Sequence, residues 1–497
     1  MTRTVRAVIA LTGCATAAAV AFATPSRDVD RLVAALLGPT PLEDDLRALT
    51  DEIGGRPTGS PANARAVEWG LQRFRAAGVE ASVEPFTMPA LWLERSASAR
   101  VGGDVAFEAR VAAMPFSAAT GPDGTTAPLL DGGAGSEEDF ARLGRAADGA
   151  FVLVETEELV DLAGLFREYA EATRIERRAV AAGAAGVVLT SSRPRNLLYR
   201  HNSTLAPALQ RPMMVMEREA AQRAARLLRA GRKLTLTARL DLERGGPYEA
   251  RNVVAQIRGT DAPEEVVLVG AHLDSWDLGT GALDNGCNAA LVIDLARQIS
   301  ALGLRPRRTV RFVLWNGEEQ GMYGSWGYVQ RHAAELDRHV LAAAVDIGSG
   351  RINGFFTGGR PEIVPVVTRA LAPVAGLGPF AEVDAPIVGT DNFDFMLEGV
   401  ANLVANQESA NYGPNYHARS DTFDKVDLRQ LRLNAAVTAA VIWAFANADV
   451  TWSRQSAAEV KRLVDSTDLK AQMDSMGLLG LWENGIRPRR RGAGPSP

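Results

Sequence analysis

Cysteine is scarce in this chain: Cys14 and Cys287 are its two cysteines among 497 residues. If Cys14 is removed or lipidated, no internal disulfide can form, so stability must come from a large hydrophobic core, which bound metal can support. The net charge is also small, −5. This excludes the strongly basic surface typical of nucleic-acid-binding proteins, and we expect no nucleic-acid partner.

What the sequence does contain is ordinary for a globular protein. Apolar residues make up 46% and charged residues 23% of the chain. A chain of 497 residues is too long for one compact core, so its length predicts two or three domains.

The N-terminus has the pattern of a secretory signal. Arg3 and Arg6 precede the apolar residues 7–23, and Ala21-Phe22-Ala23 fits the usual cleavage pattern. Because this apolar run is short for a membrane span, residues 1–23 are predicted to be a cleaved signal peptide. The protein is therefore expected to be exported, to the periplasm or the extracellular space. A lipid anchor at Cys14 is the alternative, since Leu11-Thr12-Gly13-Cys14 resembles a bacterial lipoprotein box.

Residues 238–450 alternate between strand and helix patterns. This alternation is typical of an α/β sheet with helices on both faces. The helix candidates are Asn288–Leu302 and Leu428–Ala446. The strand candidates are Val253–Ile257, Val266–Gly270, Val310–Leu314, Ala342–Asp346 and Ala401–Val404. Ligands of such sheets gather at the carboxyl ends of the strands.

The remaining parts of the chain are assigned around this core. Residues 30–111 are predicted to be the N-terminal part of the same domain. Residues 112–237 are predicted to form an inserted α/β domain. It lacks a cluster of metal ligands, so we expect it to cover one side of the active-site cleft and its removal to leave the ligands intact. Residues 451–497 are interpreted as a docked helix with a frayed end. An oligomer contact, as in a homodimer, is the alternative for this tail.

Histidine is also rare, with five in the chain. His201, His332 and His339 lie in polar stretches and are predicted to be at the surface. His272 directly follows an apolar run, and His417 lies in a polar segment after another apolar strand. His272 and His417 are therefore candidate metal ligands.

Carboxylates accompany these two histidines at strand ends. Asp284 follows His272 by 12 residues and could cap a helix, or bridge two cations through its two oxygens. Asp346 ends an apolar run, where an unpaired charge would be costly. Of the pair Glu318-Glu319, one can ligate while the other takes a proton from the attacking water. Asp274 is either a turn residue or the acceptor of the free N–H of His272.

Together these motifs resemble the co-catalytic di-zinc exopeptidases, a family that includes bacterial leucyl aminopeptidases and the glutamate carboxypeptidases. The resemblance is nearest to the plasma glutamate carboxypeptidase branch, which shares the string His-Leu-Asp-Ser-Trp-Asp found at 272–277 and the 12-residue step to Asp284. It covers roughly residues 42–446. It implies a three-layer α/β/α zinc exopeptidase core with a mixed sheet, and a protease-associated domain inserted within residues 112–237.

The resemblance also implies roles for the site residues. The implied metal ligands for two zinc ions are His272 and Asp346 for one ion, Glu319 and His417 for the other, and Asp284 as the bridge. Glu318 is the implied general base and Asp274 the partner of His272. Tyr416 is implied to stabilise the oxyanion. Asn285 and Cys287 depart from the branch pattern, which puts the choice of substrate in doubt.

The sequence therefore predicts a secreted zinc exopeptidase that hydrolyses short peptides or dipeptides. Cleavage at the carboxyl end, rather than aminopeptidase or dipeptidase activity, is an alternative, with Arg351 and Arg419 as candidates to bind a substrate carboxylate. Two further functions stay open. One is a non-catalytic binding protein or receptor-like relative, and the other is a glutaminyl cyclase, whose relatives lack an inserted domain.

Overall fold

The computed structural model describes residues 27–160, 162–201 and 210–487. The predicted signal peptide, residues 1–23, lies outside the described residues, as does the alternative lipidation site Cys14. Within the described ranges, no helix is both long enough and apolar enough to span a membrane.

The strands and helices are numbered here in chain order. The strands are β1 (Glu80–Met88), β2 (Leu91–Gly103), β3 (Phe107–Ala109), β4 (Val111–Ala113), β5 (Thr125–Asp131), β6 (Phe151–Val154), β7 (Gly186–Thr190), β8 (Met213–Met216), β9 (Leu234–Gly245), β10 (Tyr248–Ile257), β11 (Ala262–His272), β12 (Arg308–Trp315), β13 (His339–Ala344), β14 (Ile352–Phe356) and β15 (Asn402–Gln407). The α-helices are α1 (Arg27–Leu37), α2 (Leu42–Arg47), α3 (Pro61–Ala76), α4 (Glu137–Leu143), α5 (Leu162–Ala181), α6 (Arg218–Arg229), α7 (Cys287–Ala301), α8 (Tyr323–Arg331), α9 (Val364–Ala370), α10 (Phe393–Leu397), α11 (Tyr412–Asn415), α12 (Leu428–Asn447), α13 (Ala457–Ser466), α14 (Leu469–Ser475) and α15 (Leu479–Glu483).

The first sheet contains the strands at whose ends the candidate metal ligands lie. Among the described residues it has seven strands in the order β1-β10-β12-β11-β13-β15-β14. The central strands β12, β11, β13 and β15 run parallel, and the outer pairs are antiparallel, so the sheet is mixed. Each of the five strand candidates predicted from the sequence overlaps one of its strands.

Both faces of this sheet are covered. In β11, Val267 and Val269 pack into the core that contains α7 and α12. Val266 and Leu268, on the opposite face, pack with residues of α8 and α10. Burial on both faces explains why β11 is a continuous apolar run rather than an alternating one.

A second sheet is built from residues 91–245, here called the second unit. Its strand order is β3-β2-β9-β5-β6-β7-β8-β4. It extends beyond the predicted range 112–237 because β2 pairs along its length with β9, from Leu91 opposite Gly245 to Gly103 opposite Leu234. Its assignment as a protease-associated domain, like the domain boundaries, stays a prediction.

The described part of the C-terminal segment forms three short helices, α13, α14 and α15, where the sequence predicted one docked helix. Their apolar side chains, among them Val464, Met473 and Trp482, pack with Met322 and Phe393 of the core. Tyr169 of α5 in the second unit packs against the same cluster. The segment therefore contacts both the core and the second unit.

Candidate metal centre

The candidate ligands lie just beyond the carboxyl ends of neighbouring strands. His272 is the last residue of β11, Glu318 and Glu319 follow β12, and Asp346 follows β13. Because β11 lies between β12 and β13 and runs parallel to both, these ends meet at one edge of the sheet. His417 reaches the same place from the segment after β15 and α11.

Two groups of ligand atoms converge there. One consists of His272, Asp284 and Asp346, and the other of Asp284, Glu319 and His417, with the ligand atoms of each group within 4.8 Å of one another. Asp284 belongs to both groups. Its Oδ1 lies 3.1 Å from Nε2 of His272, and its Oδ2 lies 3.4 Å from Nε2 of His417.

Each histidine has a further carboxylate beside it. Nε2 of His272 lies 2.9 Å from Oδ1 of Asp346, and Nε2 of His417 lies 2.8 Å from Oε2 of Glu319. The structure thus brings together all five residues that the sequence analysis proposed as ligands, with Asp284 in the central position.

The chemistry of this cluster fits metal ions. One buried oxygen on each of Asp284, Glu319 and Asp346 has no hydrogen-bond partner among the described residues. Several carboxylates buried side by side are unfavourable unless cations compensate them. Imidazole nitrogen and carboxylate oxygen are ligands that zinc accepts, so both groups could hold such an ion.

The pKa shifts also indicate that the buried carboxylates of the cluster lack compensating positive charge. Burial raises the pKa of Glu318 and Glu319 well above the usual range, and neighbouring carboxylates add to the rise. Burial lowers the pKa of His417 to about 4, which keeps this imidazole neutral, as a ligand must be. Burial alone would lower the pKa of His272, but Asp346 and the other carboxylates beside it raise it well above 6.5.

The tautomer of His272 is set by a backbone group. Its Nδ1 donates to the backbone carbonyl of Asp274 at 3.0 Å, so Nε2 faces the ligand cluster. The Asp274 carboxylate, predicted to accept this N–H, lies 3.7 Å away. It instead accepts hydrogen bonds from Thr58 Oγ1 and the Gly317 amide, at 2.8 and 2.9 Å. Asp274 therefore positions the loop that leads to Glu318.

Two buried residues that sequence reasoning missed support the loops of the site. The carboxylate of Asp421 accepts the backbone N–H groups of Ala282, Leu283 and Asp284, at 3.1, 2.6 and 3.1 Å. The guanidinium of Arg56 donates to the carbonyls of the 273–281 loop. Neither residue lies at the end of a strand, so position in the sequence offered no signal for them.

Asp391 is another buried residue near the site to which sequence reasoning gave no role. Its side chain is 2% exposed, and neither carboxylate oxygen has a hydrogen-bond partner among the described residues. Burial raises the pKa of Asp391 well above its usual range.

Tyr416 lies against the candidate ligand His417. The two rings are stacked, with centroids 3.8 Å apart. The Tyr416 hydroxyl lies 3.5 Å from the hydroxyl of Tyr169, which comes from α5 of the second unit. The Tyr416 hydroxyl, which is proposed to contact the oxyanion, therefore lies near a second hydroxyl that comes from a distant part of the chain.

The remaining histidines differ from expectation. His201 and His339, predicted at the surface, are buried, at 3% and 5% exposure, and that prediction is wrong. His339 begins β13, at the end of the strand opposite the ligand cluster, and pairs with the Tyr328 hydroxyl at 2.9 Å. Within the described ranges neither residue belongs to a group that could hold a metal ion.

The structure also shows the contacts of the two arginines that were proposed to bind a substrate carboxylate. Arg351 is paired with Glu408 at 2.7 Å. Arg419 is exposed, and its backbone N–H donates to the carbonyl of Leu198 at 2.9 Å.

The sequence of this chain is similar to those of known peptidases. Residues 252–442 match the model of peptidase family M28. Carboxypeptidase Q of Bos taurus is 29% identical over 415 residues, covering 81% of this chain and 84% of the relative. A probable lipoprotein aminopeptidase, LpqL, of Mycobacterium tuberculosis is 27% identical and covers 79% of this chain and 81% of its own.

Solved structures resemble the whole fold. A peptidase M28 precursor from Shewanella amazonensis superposes with a TM-score of 0.77 at 27% identity, covering 85% of this chain and 97% of its own. BSAP, a zinc aminopeptidase from Bacillus subtilis, superposes with a TM-score of 0.65 at 20% identity, covering 82% and 95%. At that identity the second likeness concerns the fold alone.

Proposed function

We propose that this metallo-exopeptidase, whose residues 252–442 match the model of peptidase family M28, is an exported dinuclear zinc enzyme that hydrolyses short peptides or dipeptides. The observation that carries the dinuclear proposal is the position of Asp284. It lies between two histidines, with one oxygen toward each, and each histidine has its own second carboxylate.

In this proposal His272 and Asp346 would hold one zinc ion, Glu319 and His417 would hold the other, and Asp284 would contribute to both sites. When bound, zinc supplies a water of lowered pKa and polarises the scissile carbonyl. The unpartnered oxygens of the cluster and its uncompensated negative charge support this assignment.

The chain's own residues then manage the proton. Glu318 lies next to the proposed ligand Glu319, half-buried and not itself a member of either ligand group. As general base it accepts a proton from the attacking water and passes it to the leaving amine. The Tyr416 hydroxyl is proposed to donate a hydrogen bond to the oxyanion that develops on the carbonyl oxygen.

One experiment tests metal and reaction together. Purified protein is dialysed, analysed for zinc, and assayed on free dipeptides, aminoacyl-nitroanilides and C-terminally blocked peptides. We expect about two zinc ions per chain and hydrolysis that is lost with a chelator and restored by zinc. A zinc content near zero with no rescue would overturn the proposal.

The same substrates decide which end of the peptide is cleaved. Curated relatives with aminopeptidase and carboxypeptidase names align with similar coverage of this chain. Cleavage of C-terminally blocked peptides and nitroanilides would assign aminopeptidase activity. Cleavage that requires a free carboxylate would assign the carboxypeptidase alternative.

Export is proposed with cleavage after Ala23, and lipidation at Cys14 is the alternative. The name of the LpqL relative includes the word lipoprotein, which supports this alternative. Mass spectrometry of the mature chain separates the two, because they differ in the first residue and in the mass of a lipid.

A further inference from the structure

The proposed ligand His417 has an unusual backbone conformation. Its φ is +56°, in the left-handed region that non-glycine residues rarely adopt. This conformation costs about 1–2 kcal/mol for a residue with a Cβ, so the surrounding structure must hold it in place. The position of the His417 imidazole thus depends on the groups that contact its backbone and its neighbours.

The strand-like segment 198–200 of the second unit supplies those contacts. Tyr199 forms an antiparallel bridge with Ala418. The Arg200 N–H donates to the His417 carbonyl at 3.0 Å, and Nδ1 of His417 donates to the Arg200 carbonyl at 3.3 Å. The second contact orients the ring, because a carbonyl accepts only from a protonated Nδ1, which leaves Nε2 free for metal.

A buried arginine of the second unit holds the residue before the ligand. Arg193 is fully buried. Its Nε and Nη2 donate to the carbonyl of Tyr416 at 3.3 and 3.1 Å. Its guanidinium pairs with Glu168 at 3.2 Å and lies 4.1 Å from the ring centroid of Tyr199. A forked, planar donor of this kind fixes both the position and the direction of the carbonyl that it contacts.

The ring of His272 is oriented by a contact within the core. His272 is the end of β11 and is oriented by the carbonyl of Asp274, two residues away in the same loop. The contact that orients each histidine ring therefore comes from a different part of the chain, the Asp274 carbonyl for His272 and the Arg200 carbonyl of the second unit for His417. The loop after His272 also contacts the second unit, through the ion pair of Asp277 with Arg200 at 2.8 Å.

We propose that Arg193 is a positioning residue for the metal ligand His417, so that one of the two metal sites depends on the second unit. This inference rests on the proposed function, which takes His417 as a ligand of one of two zinc ions. It differs from the sequence-based expectation that removal of the inserted domain leaves the ligands intact, because removing segment 193–200 would remove the contacts that hold His417.

The test is a zinc titration of the full chain against a fluorescent chelator. We expect Arg193→Gln to weaken one of the two zinc constants by about 10–100-fold and to leave the other unchanged. The matched control is Arg308→Gln. Arg308 is also buried and pairs with one glutamate, Glu265, and with backbone carbonyls, but it lies at the far end of β12. The control should keep both zinc constants.

A second variant covers the case in which Arg193→Gln does not fold. Glu168→Gln keeps the guanidinium but removes the charge that orients it, and should weaken the same single zinc constant by a smaller factor. Wild-type zinc constants in a folded Arg193→Gln protein, or in Glu168→Gln if the first variant is unfolded, would overturn the inference. Failure of the wild-type chain to bind zinc at all would instead overturn the proposed function, so the two failures are distinguishable.

Discussion

Replacing Arg56 by lysine separates the charge of this residue from its geometry. The guanidinium is fully buried, and Nε donates to the Leu273 carbonyl at 2.5 Å. Nη1 and Nη2 donate to the carbonyls of Thr280 and Gly281 at 2.7 and 2.9 Å. These carbonyls belong to the loop that connects His272 to Asp284. Lysine keeps the positive charge but has no donor at the position of Nε.

The expected loss follows from the hydrogen bonds. In Arg56→Lys the ammonium reaches toward Thr280 and Gly281, so the buried carbonyl of Leu273 loses its donor. An unsatisfied buried acceptor costs about 1–3 kcal/mol, and we expect this loss in the free energy of unfolding. Arg56→Ala leaves the carbonyls of Leu273 and Thr280 without the donors described here, while the Gly281 carbonyl keeps the Gly286 N–H at 3.0 Å, and this variant should lose more. Because Leu273 lies directly beside His272, we also expect zinc affinity to fall, by about tenfold.

The assay separates stability from metal binding. Urea unfolding is followed with chelator present, by tryptophan fluorescence and circular dichroism, and zinc constants are measured on the folded proteins. Arg65→Lys is the control, since Arg65 is exposed on the neighbouring helix α3. If Arg56→Lys unfolds at the same urea concentration as Arg65→Lys and binds zinc equally well, the reasoning from the carbonyl contacts is wrong.

Three further predictions concern catalysis and pH. Glu318→Gln should retain zinc but lose about 10²–10⁴-fold in kcat because only the proton acceptor is gone, whereas Asp284→Asn should lose zinc; near-normal turnover in Glu318→Gln would contradict the base assignment. Tyr416→Phe should lower kcat by about 10²-fold with KM and zinc content unchanged, if its hydroxyl contacts the oxyanion; an altered zinc content would point to a ligand-supporting role instead. Burial lowers the pKa of His339 from 6.5 to about 4. As the pH drops from 6.5 towards 4, the imidazole is therefore protonated in the unfolded chain before it is protonated in the folded one. The free energy of unfolding falls as a result, by about 2 kcal/mol at pH 5. His339→Gln should remove this part of the pH dependence, as measured by the difference in urea unfolding between neutral and acid pH for the two proteins; an equal difference in both would refute it.

The sequence was sufficient to identify the core strands and the residues that meet at their ends. The run before His272 is apolar without alternation because β11 is buried on both faces, and this makes it visible as a central strand. Since parallel strands end at the same edge, residues far apart in sequence, such as His272, Glu319 and Asp346, could be expected to lie together. The types of these residues then indicated metal chemistry.

Other features were decided by tertiary structure. Asp274 supports the site through Thr58 and Gly317, and its backbone carbonyl, which carries no sequence signal, orients His272. Arg193 and Arg200 contact Tyr416 and His417 from more than two hundred residues away. Most of these contacts involve a backbone N–H or carbonyl group, which nearly every residue possesses, so no pattern of residue types predicts them. The sequence by itself determined which residues are candidate metal ligands, whereas only the tertiary structure decided what holds each of them in position, because those partners are chosen by proximity in the folded chain.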